Sequence, residues 1–68
     1  MPASASGVLH LRTRDTEKIE KVRRSILSLW GVSEAKVDLL NYVVMVTYNP
    51  RMVGLETIRA KLGARARQ

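Results

Sequence analysis

Sixty-eight residues without a cysteine make one small domain that can use neither disulfides nor thiolate-held metal to stay folded. A chain this short buries only about 60% of the surface its unfolded form exposes, yet 46% apolar residues is a globular composition, not a disordered one. Twelve Lys and Arg against six Asp and Glu give a net charge of +6, which suits an anionic partner: nucleic acid, an acidic protein surface or a bilayer face. The opening MPASASG lacks the basic and apolar regions of a secretory signal, and no run reaches the ~20 apolar residues that span a membrane. The expectation is a cytoplasmic domain, alone or as the cytosolic N-terminal part of a membrane protein.

In chain order, residues 1–7 read as a flexible tail and 8–68 as a single domain. VLHLRT alternates, with Leu9 and Leu11 on one side and Val8, His10 and Arg12 on the other, which predicts a half-buried strand. Asp15 is a plausible N-cap for the helix that follows, and Glu17 suits its positive end. Ile19, Val22, Ile26, Leu29 and Trp30 form one stripe at helical spacing. Glu17–Lys21 and Glu20–Arg24 are i,i+4 pairs on the opposite side, and Gly31 stands where a C′ glycine would end the helix.

SEAKVDL alternates again, with Ala35, Val37 and Leu39 inward and Glu34, Lys36 and Asp38 outward. After a turn at LN, the β-branched and aromatic YVVMVTY is a strand that Asn49–Pro50 terminates. Leu55, Ile58 and Leu62 set the apolar face of a second helix, with Gly54 as its N-cap, Val53 and Ile58 as a hydrophobic staple and Gly63 as its stop. ARAR (64–67) alternates weakly as a short edge strand. The order is β-α-β-β-α-(β), an α+β ferredoxin-like βαββαβ sandwich: an antiparallel sheet with two helices on one face and the other face open.

This order, with Gly31–Val32 closing the first helix, AKVDL in the next strand, VMVTYNP (44–50) and LETIRAKLG (55–63), resembles the heavy-metal-associated domain over residues 8–63. That family comprises small copper and mercury chaperones and the N-terminal modules of metal-pumping P-type ATPases. The resemblance implies an M-x-C-x-x-C loop ahead of the first helix, whose two thiolates hold a soft ion and exchange it with another dithiol. Counted back from Gly31, the positions matching those cysteines are Asp15 and Lys18, with Thr13 near the methionine. A hard carboxylate and a cation therefore stand where the dithiol would be, which makes this a degenerate member.

His10, Asp15, Glu17, Met45 and Met52 are the remaining donors for a metal held without cysteine. One histidine among them is a poor set, because a zinc or copper site normally takes three or four protein ligands. No cofactor is expected. Neither is catalysis: no nucleophile is spaced to pair with the sole histidine, and the four glycines are scattered and form no phosphate loop.

Three binding readings follow. By the resemblance, the loop end and first helix dock a partner, and here that edge carries Arg12, Arg14, Asp15, Lys18, Lys21 and Arg24, suited to an acidic protein surface such as a membrane transporter or its other domains. Asp15 and Lys18 could pair across the first turn. The second reading is nucleic-acid binding through an open sheet face of His10, Arg12, Lys36, Val43, Met45, Thr47, Arg65 and Arg67, which is basic but lacks stacking aromatics. The third is homodimerisation that buries Val43 and Met45 against a copy, the expected state being a monomer or a weak homodimer.

Overall fold

The structure, a computed structural model, describes residues 4–66, with side chains described as far as Leu62. Strand β1 (Ala5–His10) leads to helix α1 (Thr16–Leu27), then to strands β2 (Val32–Asp38) and β3 (Val43–Tyr48), and finally to helix α2 (Leu55–Ala66). The sheet is antiparallel in the order β1-β3-β2, so β3 is central. Val44, Val46 and Tyr48 point to the same face as Leu9 and Ala35, and Val22 and Ile26 of α1 and Ile58 and Leu62 of α2 complete one core on that face. The fold is ferredoxin-like, with both helices on one side of the sheet. No described helix is long and apolar enough to cross a membrane.

Strand β1 begins at Ala5, so it takes in Ala5–Gly7, which the sequence pattern assigns to a tail. The reason lies at Gly7, opposite Val46: a Cβ there would stand 2.5 Å from a Leu55 methyl, so glycine lets α2 approach the strand. The small residues Ala-Ser-Gly carry no alternation that would announce a strand.

Helix α1 starts as expected. Asp15 is extended at φ −75° and ψ 113°, and its carboxylate accepts the Glu17 N–H. The helix ends earlier than predicted, at Leu27, with Ser28 as C-cap donating its hydroxyl to the Ser25 carbonyl at 2.7 Å. Two tight turns follow, which carry Leu29 onto the core but swing Trp30 out to 79% exposure, so Trp30 is no part of the buried stripe. Gly31 is consequently a joint and not a C′ residue. Its φ is +99°, a Cβ would meet that of Met52 at 2.8 Å, and its carbonyl accepts the Asn49 N–H at 2.7 Å.

Helix α2 runs through Gly63 to Ala66, so ARAR supplies no edge strand among the described residues; Arg67 lies outside them. Ala64, Arg65 and Ala66 are strong helix formers, and one interior glycine costs only about 1 kcal/mol relative to alanine. Val43 also departs from expectation. It shares the open face but is only 8% exposed, because it sits on the central strand between His10 and Asp38 in the ladder.

The β2–β3 connection is built on Asp38. Its carboxylate accepts the N–H of Leu40 at 2.9 Å, that of Asn41 at 3.3 Å and the Asn41 side-chain amide at 3.0 Å. The turn closes with Tyr42 in the left-handed region at φ 54°. Leu39, predicted inward, is thereby turned out to solvent, and Leu40 is 93% exposed. The Asn41 amide first, and then the two N–H groups, hold the Asp38 carboxyl below its ordinary 3.8.

Two expected outcomes follow from these joints. Gly31→Ala combines a left-handed backbone with a clash against the Met52 segment, and urea unfolding followed by circular dichroism should show a loss of about 1–3 kcal/mol; an unchanged midpoint would refute the joint. For Asp38, the folded pKa lies below the unfolded one, so its stabilisation is complete above about 3.8 and lost as pH falls through the folded value. An NMR pH titration should place the Leu40 and Asn41 amide transition below 3.8, and Asp38→Ala should abolish it.

Candidate functional site

The β1–α1 loop and the hairpin tip meet at one end of the domain. The Leu11 N–H donates to the Tyr42 carbonyl at 2.8 Å, carrying the β1–β3 ladder one residue past the strands. Beyond it, Thr13 accepts the Asp15 N–H on its hydroxyl at 3.1 Å, and the Asp15 carboxylate accepts the Glu17 N–H at 2.9 Å. The loop is ordered by its own hydrogen bonds. Residues 11–14 and 40–42 line a groove of about 450 Å³, and the Arg14 guanidinium lies 5.0 Å from the centre of the Tyr42 ring.

The two positions that the resemblance sets at the family's cysteines do not fit a soft ion. Asp15 offers hard oxygen and is already engaged in capping α1, while Lys18 is an exposed cation. No Asp15–Lys18 pair forms among the described ion pairs; the helix N–H takes the carboxylate instead. The other donors are dispersed. His10 projects on the open face of β1, Met45 on that of β3, and Met52 sits beside Gly31 at the far end of α1. Among the described residues, no three His, Cys, Asp or Glu side chains come together as a metal set.

Of the expected docking residues, Arg12 and Arg14 share the groove, and Lys18 and Lys21 are exposed along the first turns of α1. Arg24 is set apart, roughly 13 Å along the helix from Asp15 at 1.5 Å per residue. It is also paired: Glu20 accepts from Arg24 at 3.3 Å and, through both oxygens, from Arg23. The hydrogen bond from Arg23 leads in holding the Glu20 carboxyl below its usual value.

The open face is not the basic surface expected of it. Its rows run Ser6–Thr47–Glu34, Val8–Met45–Lys36 and His10–Val43–Asp38, so two carboxylates share it with Lys36, which pairs with Glu34 at 3.3 Å. Arg12 lines the groove and also a cleft with Val8 and His10, while Arg65 belongs to α2. No aromatic lies in these rows, so nothing on this face favours nucleic acid. With Val43 buried, the apolar surface for a face-to-face dimer shrinks to Val8 and the 44% exposed Met45.

The sequence pattern missed the hairpin's share of the site: Leu40, Asn41 and Tyr42. Its signal was DLLNY, in which an Asp three residues ahead of an Asn marks a side-chain-closed turn.

Compared with known families, residues 16–66 match the model of the heavy-metal-associated domain, a match that begins just past the loop. No curated protein and no solved structure matches the chain significantly. The matched segment covers well over half of the sequence, and the chain belongs to the heavy-metal-associated domain family, as a member without the cysteine pair.

Proposed function

We propose that this heavy-metal-associated domain serves metal transport or trafficking as a protein-docking or regulatory module that does not itself carry the ion. The observation that carries the reading is the exchange at the loop. At the positions the resemblance gives to the dithiol stand an N-capping carboxylate and an exposed lysine, while Arg12 and Arg14 precede them in the loop and Lys21 extends the positive edge along α1. Soft-metal exchange needs thiolates. A positive edge needs only an acidic counterpart, which it attracts over about a Debye length, ~8 Å at physiological salt.

In this reading the partner is an acidic protein surface, such as a cytosolic face of a metal transporter or a neighbouring domain of the same assembly, and the domain works in the cytoplasm. It is a binding module and not an enzyme. The sole histidine, His10, closes β1 on the open face of the sheet.

The test is an amide NMR titration of the labelled domain with a hexaglutamate peptide. The expected shifts centre on residues 12–21 and weaken steeply as salt is raised from low to physiological strength. The charge-reversed Lys18→Glu/Lys21→Glu variant should bind at least about tenfold more weakly, since it removes two attractions and adds two repulsions, each of the order of 1 kcal/mol near a surface. Shifts centred elsewhere, or binding indifferent to the reversal, would refute the docking edge.

A further inference from the structure

One exposed leucine is ordinary in a soluble protein. Leu40 stands apart because the chain is built to hold it outward. Asp38 engages both N–H groups of the tip and the Asn41 amide. Tyr42 adopts a left-handed conformation, which is costly for a bulky residue and which an Asn-Gly turn would have avoided. The Tyr42 ring in turn lies against Arg14, fixing a guanidinium beside the tip. The groove next to Leu40 is lined by Arg12, Thr13 and Arg14, and no carboxylate lines it.

We infer that the hairpin tip and this groove form one footprint for an acidic protein segment carrying an apolar side chain. A carboxylate of the partner enters between Arg12 and Arg14, and the neighbouring apolar residue packs on Leu40. The inference rests on the docking reading above and specifies its partner. Charge and shape both select this occupant. A second copy would bring the same two arginines against these, and a flat bilayer leaves a groove of about 450 Å³ unfilled. An acidic segment matches the wall, and its apolar residue removes Leu40 from water.

The experiment compares two pentapeptides by amide NMR, one with phenylalanine and one with serine at the centre of four glutamates. The phenylalanine peptide should bind at least about tenfold tighter, the effect of burying part of an aromatic ring against a leucine, and it should shift the Leu40 and Asn41 amides. Leu40→Ser, a change at a 93% exposed position that leaves no cavity, should erase that advantage while keeping the serine peptide's affinity. Equal binding of the two peptides would overturn this inference and leave the docking edge standing. If neither peptide binds, both readings fall. Vesicles of phosphatidylcholine and phosphatidylserine that shift the same amides at comparable strength would overturn the protein partner in favour of a bilayer.

Discussion

The hydrogen bond from the Leu11 N–H to the Tyr42 carbonyl joins the β1–α1 loop to the hairpin tip at the candidate end of this domain. It extends the β1–β3 ladder just far enough to seat the β1–α1 loop against the hairpin tip. Without it, Arg12 and Arg14 would belong to a loop of their own and Leu40 to an isolated turn. With it, two cationic side chains and an exposed leucine become the walls of one groove. The central position of β3 makes this possible, because a hairpin leaving the middle strand can reach the loop that follows β1.

The same end of the domain explains what the missing cysteines change. A helix N-terminus presents free N–H groups and a positive dipole, an environment that lowers the pKa of a thiol and so favours metal-binding thiolate. Here that terminus is capped from within: Asp15 takes the Glu17 N–H, and its own N–H goes to Thr13. The proposed docking rests instead on positive charge around that terminus: Arg12 and Arg14 in the loop, and Lys18 and Lys21 on α1.

Periodicity made the helix-covered side of the fold legible. The alternation of Val44, Val46 and Tyr48 and the helical spacing of Ile19, Val22 and Ile26 are direct imprints of the faces they bury. The errors fall where tertiary contacts, not local pattern, decide. Trp30 continues the α1 stripe in sequence, but Ser28 ends the helix and the close approach of Gly31 to Met52 turns the chain away. Val43 carries outward parity yet is covered by neighbours on both sides. Ala5–Gly7 hide a strand because the fit of Leu55 over Gly7 leaves no trace in hydropathy. The exposed charge of Arg12, Arg14 and Lys18 was legible from composition and position, whereas the outward Leu40 follows only from reading DLLNY as a turn closed by Asp38.

The central claim, that this loop has exchanged metal for a protein surface, is tested most directly by titrating the labelled native chain with Cu(I) in an amide NMR experiment. The account predicts no shift among Thr13–Lys18 or at His10 at stoichiometric metal. Shifts clustered on those residues would contradict it and return the domain to metal carriage through non-cysteine ligands.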